Sequence, residues 1–253
     1  MEFKGGTGDC SARNVSMLRV ASCRLGIMNI NSDSDKRVVQ AQKDAVWTPS
    51  PLPGVDRRML DRVGDEVARA TSIVRYAAGS WFDRHVHDGG EEIFVLQGVF
   101  SDEQGDYPAG TYLRNPPGSS HAPFSRDGCI LFVKLRQFMP GDSKPVRIDT
   151  TTAAWFPGPV TGSVVMPLHE HGGITTALVR WAPDTRCKTR TNSGGEEMLV
   201  LAGAFRDEAG RYTAGTWLRN PRGSRSTIST GAEGAMVYVK AGAVGVAWPA
   251  SQA

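Results

Sequence analysis

Residues 89–120 read GGEEIFVLQGVFSDEQGDYPAGTYLRNPPGSS, and residues 194–225 read GGEEMLVLAGAFRDEAGRYTAGTWLRNPRGSR. The two segments align without a gap and roughly two-thirds of their positions are identical, which marks a duplication rather than a chance likeness. The match runs upstream, where SIVRYAAG from Ser72 meets ALVRWAPD from Ala177. It runs downstream, where ILFVK from Ile130 meets MVYVK from Met236 after a one-residue insertion. The repeating unit is therefore about the size of a small domain, not of a solenoid repeat. The segment Gln137–Thr152, with Pro140, Gly141 and Pro145, is the natural boundary. We expect a domain over 46–140 and a second over 141–253, preceded by a flexible tail over 1–45.

Each unit reads as β-structure. Ser72–Ala77, Glu92–Ser101, Thr111–Arg114 and Cys129–Arg136 are short runs rich in Val, Ile, Leu, Phe and Tyr, bounded by Gly, Pro, Asp and Ser. SDEQGDYPAG predicts a hairpin connection through Gly105, and NPPGSSH predicts a second tight turn. Helical periodicity is scarce; Asp56–Glu66 is the one short helix predicted in the repeats. Many short strands with Gly/Pro turns imply an all-β sandwich or barrel.

Within the first unit lie His85, His87, Glu91 and His121, three of the five histidines of the chain together with one acid. His85 and His87 are two apart, so on a strand they share a face. Asp88, Gly89 and Gly90 let the chain turn, Glu91 opens the next strand, and His121 returns through the NPPGSSH turn. Imidazole nitrogen and carboxylate oxygen suit Zn, Fe(II), Mn, Co, Ni or Cu. Glu92 competes with Glu91 for the acid position, but the strand pleat turns the two to opposite faces, and Glu91 is preferred.

This constellation resembles the cupin superfamily. Its first motif, G(x)5HxH(x)3–4E(x)6G, is matched by Gly79, His85, His87, Glu91 and Gly98. Its second, G(x)5PxG(x)2H(x)3N, is matched by Gly110, Pro116, Gly118 and His121, with Ser125 in the place of the last Asn. The longer string from Gly89 to Phe124 resembles the cupin domain of ChrR-type anti-sigma factors more narrowly. The resemblance spans about Trp47 to Lys240 and implies two tandem double-stranded β-helix (jelly-roll) barrels. It implies one divalent metal per chain, Zn or Fe(II), held by His85, His87, Glu91 and His121. ChrR-type proteins also carry a sigma-binding domain with an Hx3CxxC motif. No histidine precedes His85 here and no CxxC occurs, so the resemblance extends to the sensory cupin alone. The implied role is a regulatory, stress-sensing module. The alternative it also implies is a metal-dependent dioxygenase, such as a diketone-cleaving oxygenase, with a small-molecule substrate at the metal. Cupins often pair through sheet edges, which is compatible with a homodimer.

In the second unit Arg190 stands in the place of His85, Asn192 in that of His87 and Ser226 in that of His121; only Glu196 remains. Arginine offers no acceptor to a metal, so the second barrel is expected to be metal-free. An Arg190–Glu196 ion pair, or a pocket for an anionic small molecule, would take the metal's place. His169-Glu170-His171 is a second HxH pair without a third histidine, and predicts a polar loop. Trp81, Phe82, Phe94, Tyr112 and Phe124 are candidates to line an apolar pocket at the first site, although core or rim positions explain most of them more simply. Cys129 reads as buried and Cys187 as exposed.

Composition limits the rest. A hydrophobic fraction of 40% and a charged fraction of 22% are those of a globular protein. The net charge of +3 comes without a basic block, which does not suggest nucleic-acid binding. No run is long and apolar enough for a membrane helix. Cys10, Cys23, Cys129 and Cys187 are isolated, as in a reduced cytoplasmic protein. The first 27 residues carry Arg13, Arg19 and Arg24 but only Glu2 and Asp9 as acids; a transit segment or a natural start at Met28 are the other readings of this stretch.

Overall fold

The structure is a computed structural model and describes residues 28–44 and 46–246. Of the tail expected over residues 1–45, residues 1–27 lie outside these. Among the described residues there is no α-helix, and one short 3-10 turn at Gln42–Asp44. The two repeats form two antiparallel β-barrels. In the first, an 11-stranded sheet carries the successive neighbours Val55–Val63, Arg69–Tyr76, Cys129–Leu135, Glu91–Asp102 and Thr111–Asn115. In the second, an 8-stranded sheet carries Ser163–His171, Ile174–Trp181, Ser229–Ala241, Glu196–Asp207 and Trp217–Asn220 in the same order. Each barrel adds a two-stranded ribbon, His85–His87 with Ser119–His121 and Arg190–Asn192 with Ser224–Ser226.

The barrels exchange strands. Val38–Gln40, which the sequence places in the tail, pairs with Trp217–Asn220 of the second barrel. Val146–Asp149, from the start of the second repeat, pairs with Thr111–Asn115 of the first. The registers correspond, Val38 opposite Arg219 and Val146 opposite Arg114. Both segments lie equally far ahead of the first long strand of their own repeat, Val38 before Val55 and Val146 before Ser163. Asn29–Ile30 also pairs, with Val55–Val63. Asn29–Ile30 and Val38–Gln40 of the expected tail thus take part in the sheets, and the repeat boundary is bridged reciprocally.

This exchange leaves the central strands buried on both faces. Along Glu91–Asp102, Ile93 and Val95 turn into the core of the first barrel with Val55, Leu113 and Leu131. Phe94 turns the other way, into a cluster built from both repeats that includes Tyr112, Phe132, Met166, Leu199, Trp217 and Tyr238. The continuous run IFVL is the sequence trace of a strand with two apolar faces. The second barrel has its own core of Trp181, Met198, Val200, Phe205 and Val237.

Charged residues are buried between the barrels as well, and they repeat in the same pattern. Glu92 accepts hydrogen bonds from Lys240, from Arg114 at 2.9 Å, from Tyr112 at 2.9 Å and from Tyr238. Its counterpart Glu197 pairs with Lys134 at 2.6 Å, and that ammonium also donates to Thr71 at 2.9 Å. Every one of these residues is below a tenth exposed.

Three sequence expectations are corrected. Asp56–Glu66 is not a helix: Val55–Val63 is a strand, with a bulge between Met59 and Asp61. Its polar residues hid the period of two because they have partners. Arg58 stacks on Trp47 at 4.2 Å, and Asp61 pairs with Arg69 at 2.7 Å and with Arg219. His169-Glu170-His171 is the end of the strand Ser163–His171 rather than a loop, and His169 Nε2 lies 3.1 Å from Asp142. Cys187 is buried, not exposed, within the second core.

Gly98 and Gly203 occupy equivalent positions on the two central strands at φ +73° and +65°. A Cβ on Gly98 would drive into the Gly128 carbonyl oxygen, and one on Gly203 into that of Gly234. Backbone cannot yield as a flexible side chain would. Gly98→Ala is therefore expected to lower stability by at least about 2 kcal/mol, read as a fall in the urea midpoint at unchanged slope.

Candidate metal centre

The four residues singled out by the sequence come together at the ribbon of the first barrel. His85 and His121 are direct cross-strand partners, and Val86 between the two strand histidines points outward, 64% exposed. The turn Asp88–Gly90 folds the chain back, with Gly90 at φ +76° donating its N–H to the His87 carbonyl at 3.4 Å. Glu91 then starts the central strand on its barrel-facing side.

One nitrogen from each of His85, His87 and His121 lies within 4.8 Å of the other two. His87 Nε2 and His121 Nε2 are 3.0 Å apart. Glu91 Oε2 is 3.2 Å from His87 Nε2 and 3.6 Å from His121 Nε2. Glu92 is on the far side of the strand, committed to Lys240 and Arg114. The pleat thus divides two adjacent glutamates between two tasks.

The surroundings fix the orientation of the imidazoles. His85 Nδ1 lies 2.9 Å from the Asp83 carbonyl oxygen, and His121 Nδ1 lies 3.2 Å from Asp102 Oδ2. A proton on each Nδ1 satisfies these acceptors and leaves the Nε2 lone pairs free. Burial lowers the His87 pKa, against a smaller opposing effect of Glu91, and favours the neutral ring. Asn115 Nδ2 donates to Glu91 Oε2 at 3.0 Å and orients the carboxylate. A set of three imidazoles and one carboxylate on a single locus fits a divalent first-row metal.

Asp102 was not found from sequence. Burial raises the pKa of its carboxyl, but hydrogen bonds from His121, the Gln104 N–H and Tyr107 outweigh this and hold it below the usual range. The aspartate recurs as Asp207 in the second repeat, where its histidine is missing; there Arg37 donates to it at 2.5 Å and Tyr212 at 2.7 Å. An acid that persists in both repeats with different partners carries no signal in the sequence of its place beside His121. Asp102→Asn is expected to weaken metal binding by about 10- to 100-fold while sparing the fold, measured by competition with a chelator of known affinity.

A cavity of 310 Å³ adjoins the histidines, with Tyr76, Phe82, Val74 and Leu131 in its walls. Of the aromatic residues considered from sequence, Phe82 lines it. Phe94 and Tyr112 belong to the cluster between the barrels, and Trp81 is 62% exposed.

In the second barrel the equivalent ribbon places Arg190 opposite Ser226 and Asn192 opposite Ser224. Arg190 Nη2 donates to both oxygens of Glu196, at 2.9 and 2.7 Å, so the ion pair expected from sequence is present. Asn192 and Asn220 donate to the same carboxylate at 3.0 and 2.9 Å. Glu196 Oε1 thus accepts three hydrogen bonds and Oε2 one, which commits the carboxylate to donors of its own barrel.

Comparison with known proteins bears on the fold and the family. The two barrels superpose on solved structures at 13% identity. A candidate dioxygenase from Nostoc punctiforme PCC 73102 matches with a TM-score of 0.70 over 87% of each chain. The bacterial pirin YhhW of Escherichia coli, in complex with nickel(II), matches at 0.59 over 81% of this chain and 99% of its own. The formate complex of oxalate decarboxylase from Lactobacillus farciminis matches at 0.56 over 85% and 88%. At such identity the likeness establishes the fold alone. No curated protein matches the sequence. The family model of the ChrR cupin-like domain matches residues 35–139 and again residues 143–245. The chain therefore belongs to the ChrR cupin-like family and carries that domain twice.

Proposed function

We propose that the first barrel holds one divalent metal, Zn or Fe(II), through His85, His87, Glu91 and His121, and that the chain is a regulatory, stress-sensing bicupin. The observation that carries the metal reading is the convergence of three imidazoles within 4.8 Å, two of them with Nδ1 against a fixed acceptor. When bound, such a metal supplies a Lewis-acidic centre and, if it is iron, a redox centre. The protein's own part is to keep His87 neutral by burial, to orient His121 through Asp102, and to shield the cluster with Tyr76 and Phe82.

Two features support a sensory role over catalysis. The family match falls on the ChrR cupin-like domain in both repeats. The other charged residues lining the cavity, Arg57 and Glu66, pair with each other at 3.3 Å, and the nearby Asp102 is bonded to His121, so among the described residues the cavity wall offers no uncommitted carboxylate. Sensing would fall to the metal site rather than to thiols. Burial pushes the Cys129 thiol up to about 11 and raises that of Cys187 too, so neither is a ready thiolate.

The 310 Å³ cavity favours a second reading, a metal-dependent dioxygenase cleaving a small diketone. A solved relative in fold is described as a candidate dioxygenase. Metal analysis of protein purified without a metal-affinity tag, combined with oxygen uptake on a panel of β-diketones, separates the two. Zinc without turnover is the outcome expected of the sensory module. Iron with substrate-dependent oxygen uptake would replace it with the oxygenase.

A further inference from the structure

The second barrel retains a cavity where the first has its metal site. It measures 590 Å³, within the range of small-molecule sites. Its position corresponds through the repeat. Val179 and Trp181 stand where Val74 and Tyr76 line the first cavity, and Arg190 stands where His85 does. The walls are apolar, from Val160, Val165, Val179, Trp181 and Val239. Around them the chemistry has changed in one direction. The rim residues Trp81 and Asp83 of the first repeat are replaced by Arg186 and Lys188 of the second.

Three cations, Arg186, Lys188 and Arg190, line this cavity, and no acid does. Glu196 offsets one of them, but it is buried behind Arg190 with 1% of its side chain exposed, whereas the Arg190 side chain is 40% exposed. The bonds to Glu196 use Nη2 alone, so the Nη1 and Nε donors of Arg190 are not spent on it. Across the ribbon, the buried Ser226 hydroxyl has no hydrogen-bond partner among the described residues. A guanidinium thus stands in the place of His85, with two further cations, Arg186 and Lys188, exposed on the rim.

We infer that the second barrel is a metal-independent site for a small organic carboxylate with an apolar body. The carboxylate meets Arg190 and the rim cations in the planar geometry a guanidinium favours, and the apolar body lies against the valines and Trp181. This does not rest on the metal reading of the first barrel, and the test keeps the two apart.

The probe is 3-phenylpropanoate, titrated calorimetrically into the full chain alongside its neutral amide. One equivalent should bind per chain, and the amide should bind at least about tenfold more weakly. Binding should persist in His121→Ala, which alters only the first barrel's site. It should weaken about tenfold in the double variant Arg186→Gln/Lys188→Gln, whose side chains are exposed and bond to no other described residue. Val179→Trp, which fills the cavity, should abolish it. Absence of binding to the wild-type chain, equal affinity for the amide, or binding that is lost in His121→Ala and untouched in the double variant would each overturn the proposal.

Discussion

Glu92→Leu is expected to lower the stability of the protein by about 3–5 kcal/mol, the usual cost of removing one partner from a buried ion pair. The change leaves Lys240, 1% exposed, without its carboxylate deep between the barrels. Arg114 is spared in part, because Asp142 also binds it at 2.5 Å. The double variant Glu92→Leu/Lys240→Met should recover much of the loss, since the surrounding cluster of Phe94, Phe132 and Tyr238 is apolar. Urea unfolding of the two variants checks this; equal losses would mean that packing, not charge, dominates the site.

The same network sets the response to acid. Burial raises the Glu92 pKa, but Lys240 and Arg114 outweigh it and hold the carboxyl well below its ordinary value of 4.5. Glu197 is likewise held low, by Lys134 against burial. A depressed carboxyl contributes stability that is complete above the unfolded value and declines as pH falls towards the folded one. The wild-type chain should thus lose stability progressively below about pH 4.5, and Glu92→Leu should show a shallower decline.

The second large effect concerns the metal. On the proposed reading, His121→Ala should weaken metal binding by more than about a hundredfold, because it removes a ligand rather than a supporting contact. Ser226→His in the second barrel should gain no metal, since Arg190 and the two asparagines still occupy the Glu196 carboxylate. Loss in one barrel without gain in the other would show that a whole donor set, not one histidine, makes the site.

Much of this architecture is legible in the sequence because the chain contains its own comparison. The Gly89 and Gly194 segments fix the repeat, and the strand pleat turns His85, His87 and Glu91 to one side and Glu92 to the other. The features that escape are those formed between distant segments. Val38–Gln40 is three residues long and joins a sheet whose other strands begin more than a hundred residues later, so no local pattern announces it. The strand Val55–Val63 is masked by arginines and aspartates whose partners, Trp47, Arg69 and Arg219, are visible only in three dimensions. Asp102 sits in a turn-like string, and only the fold brings it to His121. Cys187 lies among charged residues in sequence, yet the alternation of the chain at the cavity edge turns it inward.

On the proposed reading, duplication kept two scaffolds and one metal site. Elemental analysis of the full chain, purified without a metal-affinity tag, tests it most directly, with the His121→Ala variant alongside. The account predicts one equivalent of a divalent metal per wild-type chain and none in the variant. A second equivalent in the wild type, no metal at all, or an unchanged content in His121→Ala would contradict it.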